Sequence, residues 1–349
     1  MLAPIVLSLA LAASGHGWSV AHAGALPAAS RLSVVASAGP HDVWVGGKEH
    51  GNDYAEIGRA VLEHWDGRRW TVTRLPHADS VVGLSAAGPK DVWAAARQSY
   101  EGGGLLYHYD GRRWSRVTGL PAAGDYDVAA VRGAVFVAIR DGSDVLTRDA
   151  DGWQPATLGE DVHLRAVRAR TPADAWAIGG TGDYQTERPF AAHWDGHAWT
   201  STPLPLNTGH LHAVLSYSPE NAWAVGNGLR PFKGRYEPYG KPFVLHWDGA
   251  AWKQVKVPAG RADLRAITAA GGGRVLIGGF DPAHPSRPFF LRNNNTRKWH
   301  ADTVKPPRGA KYVEVNGVAA AGYDLWAVGA FDRVKGSPTP RDLVLRYRP

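Results

Sequence analysis

Tryptophan recurs in this chain with a regularity that leaves few folds open. All 15 tryptophans fall on three positions of one repeating pattern. Five lie in short apolar runs: DVWVGG (42–47), DVWAAA (91–96), DAWAIGG (174–180), NAWAVG (221–226) and DLWAVG (324–329). Three follow histidine in an HWDG element, at Trp65, Trp194 and Trp247. The other seven close the hairpin behind that element or a degenerate form of it, at Trp18, Trp70, Trp114, Trp153, Trp199, Trp252 and Trp299. AVFVAI (134–139) and RVLIGG (274–279) are degenerate copies of the first run, making seven copies at a mean interval of about 47 residues.

Each unit reads as four strands. The first is a short apolar stretch such as LSVV (32–35), LRAV (164–167), LHAV (211–214) or LRAI (264–267); the second is the DxW run. The third ends in HW, and the fourth begins at the closing tryptophan and stops at Leu-Pro or Val-Pro. Between the third and fourth, Asp-Gly supplies the turn, with glycine where φ must be positive. Four antiparallel strands per repeat of this length describe a β-propeller blade, and radial stacking buries the faces that one blade cannot bury alone. The predicted fold is therefore all-β, a seven-bladed β-propeller occupying residues 14–349. Its blades run over about 32–79, 80–124, 125–161, 162–209, 210–261, 262–310, and 311–349 joined by 14–31. The last unit lacks a fourth strand, and SGHGW (14–18) aligns with DGRRW (66–70). The N-terminal strand is expected to complete the last blade and so remove the free sheet edges.

Residues 2–13, LAPIVLSLALAA, have the length of a signal-peptide apolar core and are too short to span a bilayer. Two A-x-A cleavage candidates follow, at Ala10–Ala12 and Ala21–Ala23. Export is the expectation, with residues 1–13 as leader and cleavage near Ala12, because cleavage after Ala23 would discard Trp18. The other reading of this stretch is an N-terminal strand. No other segment approaches the 18 apolar residues of a membrane span. The chain has no cysteine, which removes disulfides, thiolate metal sites, cysteine nucleophiles and thiol redox chemistry from consideration. A net charge of +7 without a basic run tilts partners towards anions and gives no specific nucleic-acid signature.

The glycines after the second strand, the aromatic ending the third and the tryptophan opening the fourth resemble kelch repeats. They are similar also to the DVWAVG…HWDGxxW propellers of secreted bacterial proteins. The Gly-Gly pair is intact only at 46–47, 179–180 and 278–279. The resemblance implies a galactose-oxidase-type propeller superfamily, but the Cys–Tyr copper cofactor of such oxidases has no cysteine here to form it. Asp66 stands four residues before Trp70, whereas a sialidase Asp box places it five before, so no sialidase site is implied.

His64, His108, His193 and His246 recur once per blade, a spacing that makes them diverge and suits hydrogen bonding within a blade better than a shared metal. Blade-to-blade asymmetry is more informative. At the second position of the first strand, blades 4 to 7 carry Arg165, His212, Arg265 and Asn316 where blades 2 and 3 carry Val82 and Ala129. Two residues earlier stand His163, His210, Asp263 and Glu314, which regular alternation would put on the same strand face. Loops on the same predicted side add Tyr184 and Arg188 in blade 4 and Arg230, Arg235, Tyr236 and Tyr239 in blade 5. Tyrosines and arginines on proline-stiffened loops suit contact with sugars or a protein. The expected function is a secreted binding module for an extracellular carbohydrate, cell-envelope polymer or surface protein, anionic by the charge argument. The alternative is an extracellular glycan hydrolase or lyase using His210, His212 and the nearby arginines at the channel mouth. A structural surface protein without a ligand is the third reading. No catalytic constellation, metal set or cofactor motif stands out in the linear sequence; Asn316 and Asp127 alone are thin support for an axial calcium.

Overall fold

The structure, a computed structural model, describes residues 16–51, 58–98, 103–121, 124–149, 152–232, 235–237, 240–294, 298–334 and 339–349, together with the strand Ile5–Leu7. The chain forms a seven-bladed β-propeller, each blade built on four antiparallel strands that follow sequence order in blades 1 to 6. In blade 4 the strands are Val162–Thr171, Asp174–Thr181, Arg188–Trp194 and Trp199–Ser201. In blade 5 they are His210–Ser218, Asn221–Asn227, Pro242–Trp247 and Trp252–Val255. The last blade consists of Tyr312–Ala321, Asp324–Asp332 and Arg341–Arg348, completed by Gly17–Ala23 from the chain's start. Trp18 pairs with Tyr347 in that closure, and its ring lies 5.6 Å from the tyrosine's. Ile5–Leu7, within the stretch expected to be a leader, runs antiparallel to Trp70–Arg74 as a fifth strand of blade 1. Among the described residues no helix is long and apolar enough to cross a membrane.

By contact density the chain divides into two units. The first holds blades 7, 1 and 2, and the second blades 3 to 5 with most of blade 6. Within each, the second-strand aromatic fills the gap to the following blade. In the first unit Trp326 packs with Val43, Trp65 and Trp70 of blade 1, and Trp44 with Val92, Leu105 and Tyr107 of blade 2. In the second, Phe136 meets Trp194 and Trp199 edge-on, and Trp176 does the same with Trp247 and Trp252. Edge-to-face pairs add about 0.5–1.5 kcal/mol beyond area burial.

A polar lock sits beside each second-strand tryptophan. Trp44 stacks on His64, whose Nε2 reaches Oδ1 of Asp42 at 2.8 Å. His108 does the same with Trp93 and Asp91, His193 with Trp176 and Asp174, and His246 with Trp223 and Asn221. Burial pushes Asp174 up, but hydrogen bonds from His193, Arg170 and Ser216 outweigh it and hold the carboxyl below its ordinary range. In blade 7 an arginine takes the histidine's place: Arg346 Nε donates to Asp324 at 2.7 Å and its guanidinium lies 4.9 Å from the Trp326 ring. These histidines are structural. The HWDG aspartates are turn residues, each accepting two backbone N–H bonds, as Asp66 does from Arg68 and Arg69 beside Gly67 at φ +92°.

One feature departs from the sequence expectation. The first strands are not regular. Six of the seven carry a bulge at the second position, between Leu32 and Val34, Val81 and Gly83, Leu164 and Ala166, Leu211 and Ala213, Leu264 and Ala266, and Val315 and Gly317. Arg165, His212, Arg265 and Asn316 are thus bulge residues, without a ladder partner on the second strand, and simple alternation does not describe their faces. The bulged strand also explains the motif glycines. At Gly47, Gly179, Gly226, Gly279 and Gly329 a Cβ would collide with the carbonyl oxygen of Arg31, His163, His210, Asp263 and Glu314 respectively.

Two outcomes follow. Gly226→Val should destabilise the chain by more than 2 kcal/mol in denaturant melts, because the oxygen it meets belongs to backbone. A chain beginning after Ala23 should lose cooperative unfolding or aggregate, whereas one beginning at Ser14 should melt like the full chain; circular dichroism and light scattering distinguish the two.

Candidate functional site

In the second unit the blade 4 and blade 5 candidates converge. Gly179 and Gly180 end the second strand of blade 4, and a Cβ on Gly180 would occupy the space taken by the Glu187 side chain. Glu187 therefore folds inwards, 1% exposed, and forms a two-pronged ion pair with Nη1 and Nη2 of Arg165 on the bulge. His210, also buried, donates from Nε2 to the Tyr184 carbonyl at 3.1 Å and stands 3.7 Å from Oε2 of Glu187. The Tyr184 ring covers it at 4.3 Å, while the tyrosine remains 56% exposed. The His212 ring is edge-on to His210 at 6.4 Å, and its buried Nε2 has no hydrogen-bond partner. Burial, with help from the Arg165, His210 and Arg265 charges, pushes the His212 pKa down to about 4 against a pull from Asp263. Burial also lowers His210. The His212 ring is neutral at physiological pH.

Arg265 on the blade 6 bulge donates from Nε to Asp263 at 2.6 Å. Arg188 is exposed at the start of the third strand, opposite Thr181. Arg230, Arg235 and Tyr236 lie on a two-stranded hairpin, Arg230–Phe232 against Arg235–Glu237, that projects from blade 5 between its second and third strands. Tyr239 lies outside the described residues. In the first unit Asn316 donates from Nδ2 to the Leu32 carbonyl at 3.0 Å, a stitch between blades 7 and 1. Asp127 is buried and accepts from the Val167 N–H and from Arg168. Both groups discussed for axial calcium thus serve contacts between blades.

Sequence reasoning overlooked Glu187, which hides inside the loop GTGDYQTERP among more conspicuous neighbours. Its signal was the second glycine of the pair, which leaves room for a side chain to lie across the strand. With Glu187 and Asp263 in place, Arg165 and Arg265 are each charge-balanced. What the cluster offers is an exposed aromatic face on a rigid, hydrogen-bonded and locally neutral base.

No protein-family model matches the chain, and no curated protein matches it in sequence. Solved structures do. YCF48 from Cyanidioschyzon merolae superposes with a TM-score of 0.58 at 13% identity, over 95% of this chain and 99% of that one. The Niastella koreensis GH74 enzyme gives 0.60 at 11% identity, over 90% of this chain and 54% of that one. The extracellular domain of BT4673 from B. thetaiotaomicron gives 0.58 at 11%, over 94% of this chain and 40% of its own. At such identities the likeness is one of fold: a seven-bladed propeller, found here as a chain spanning about half or less of the latter two proteins.

The buried pair sets a stability expectation. Arg165→Ala leaves Glu187 buried without its cation and should cost about 3–5 kcal/mol in chemical denaturation, whereas Arg188→Ala, on the exposed strand start, should change stability by less than about 0.5 kcal/mol. Because the folded chain holds His212 near 4 and an unfolded histidine titrates near 6.5, the unfolded state binds the extra proton between those values. Stability should therefore fall as pH drops from about 6.5 to about 4, by on the order of 2–3 kcal/mol from this residue, and His212→Gln should show a shallower decline in melts across that window.

Proposed function

We propose that the chain is a secreted propeller binding module of kelch-like pattern that engages an extracellular carbohydrate or cell-envelope polymer through the blade 4 and blade 5 loop face. The observation that carries this reading is Tyr184. Its exposed ring rests on His210, which the Arg165–Glu187 pair buttresses from beneath. A flat aromatic held rigid beside polar groups suits the apolar face of a sugar ring and loses little entropy on binding. The hairpin around Arg230–Phe232 and Arg235–Glu237 extends the same side of blade 5. Since Arg165 and Arg265 already face carboxylates, a neutral polyhydroxyl ligand fits better than a polyanion.

Binding is favoured over glycan hydrolysis by the state of the carboxyl groups. A glycosidase acid needs its pKa raised. Glu187 and Asp263, the acids of this cluster, are each engaged by an arginine, which favours their charged form.

A glycan array followed by calorimetry on the best polysaccharide tests the reading. Tyr184→Ala should weaken binding at least 10-fold with an unchanged melt, and raising NaCl from 50 to 500 mM should change affinity less than about 3-fold. Release of reducing ends from the bound glycan, lost in His212→Ala, would make the hydrolase the correct reading; binding indifferent to Tyr184 would move the site elsewhere.

A further inference from the structure

The seam where the chain's ends meet contains a group of side chains that the ligand site does not use. His22 comes from the N-terminal strand of blade 7, Asp342 from the third strand of the same blade, and Glu63 from the third strand of blade 1. All three are buried, and one donor atom from each lies within 4.8 Å of the others. His22 Nε2 is 3.2 Å from Oε2 of Glu63, and Nδ1 is 3.4 Å from Oδ2 of Asp342. The Trp70 ring stands edge-on to the imidazole at 5.0 Å as an apolar wall.

The two carboxylates differ in kind. Asp342 is built into the closure, accepting from the Ala25 and Leu26 N–H groups and the Ser30 hydroxyl. Glu63 is fully buried, and its partner is the His22 ring, which is ion-paired to Glu63 through Nε2 and to Asp342 through Nδ1. Burial disfavours the charged imidazole, but the two carboxylates outweigh it and raise the pKa to about 10, so without an ion the ring carries a proton between them. The repeat makes this more telling. The residue before the histidine of the third strand is Tyr107 in blade 2, Ala192 in blade 4 and Leu245 in blade 5, and the matching place in blade 7 is Leu345. At that apolar position blade 1 alone of these carries an acid. Likewise Asp342 stands where Ala60, Pro189 and Pro242 stand in blades 1, 4 and 5. Burying two carboxylates against one imidazolium leaves a net negative charge, whose desolvation cost the apolar residue of the other blades avoids.

We propose that His22, Glu63 and Asp342 bind one divalent transition-metal ion that clips the N-terminal strand to blades 7 and 1. One imidazole nitrogen with two carboxylate oxygens suits Zn²⁺ or a similar ion and disfavours Ca²⁺ and Mg²⁺, which take oxygen ligands. With ligands ~2.1 Å from the ion, the edge of a coordination tetrahedron is roughly 3.4 Å, and the 3.2 Å gap between His22 Nε2 and Glu63 is close to that edge. A dication would take the place of the proton on His22 and balance both carboxylates, which one imidazolium offsets only by half. The clip joins residues from opposite ends of the sequence, where closing the loop restricts the unfolded chain most.

The probe is Zn²⁺ alone, titrated into the full chain after dialysis against EDTA. Calorimetry should find one saturable site per chain, and at 100 times Kd the melting midpoint should rise by roughly 5 °C. Glu63→Gln, nearly isosteric, should weaken that binding at least 10-fold. Glu63→Leu, which restores the repeat's apolar residue, should be at least as stable as the wild type in EDTA yet show no response to Zn²⁺. Absence of a saturable site in the wild type, or Zn²⁺ binding and a midpoint shift that persist in Glu63→Leu, would overturn the proposal. Because Tyr184 lies in a different unit, loss of glycan binding in its variant leaves this result untouched.

Discussion

Each sheet of this protein has an apolar face that its own blade cannot cover, and within each unit an aromatic from the second strand inserts against the next sheet. That insertion organises the rest. It explains why tryptophan is placed so regularly, and why the third strand supplies an aromatic or histidine neighbour. It also explains why, within each unit, the first strand of one blade lies against its counterpart in the next. A stack built in this way leaves an uncovered sheet at each end, and pairing of Trp18 with Tyr347 closes it. Closure by a strand from the other end of the sequence means that the last blade is not formed until the chain's start has found its finish.

The Trp–His–Asp lock is the second layer of the same logic. A buried indole on strand two offers a flat surface; the imidazole on strand three stacks on it and reaches the residue that opens strand two. Three positions on two strands are thereby fixed in register, and a one-residue slip would break both the stack and the hydrogen bond. Arg346 shows that the lock is defined by physical role. Arginine stacks on Trp326 and reaches Asp324 as histidine does elsewhere, so the register survives a change of residue type.

Periodicity made the fold legible because four strands, three turns and a closing strand each leave a residue signature that repeats. The site was legible only in part. Arg165, His210, His212 and Tyr184 were visible as polar or aromatic departures from the blade consensus, and they do come together in the structure. Their geometry was not, because the first-strand bulge leaves no local mark beyond a glycine on the neighbouring strand. Glu187 escaped notice for the same reason: a carboxylate in an exposed-looking loop turns inwards only because Gly180 has no side chain. The expected cationic arc consequently became a set of paired arginines. Asn316, which read as a member of that arc, holds the Leu32 carbonyl instead.

In a repeat of this kind the departures from consensus carry the specific information, but they are not of one sort. Arg346 replaces histidine and keeps the partners, so it reports on structure. Asn227 at the end of strand two binds the Ala262 carbonyl and the Leu264 N–H, again completing its bonds within the protein. Glu63 replaces an apolar residue and gains only the ion pair with His22 in return. It enters a buried group of two carboxylates around one imidazolium, which keeps one negative charge uncompensated, and the proposed cation would supply what is missing. The same test applied to blade 4 gives the opposite answer for Glu187, whose arginine accounts for it fully. What remains unaccounted for there is the exposed face of Tyr184. The two proposed sites thus call for different ligands, a cation in the closure seam and a flat, uncharged surface over the tyrosine in blade 4.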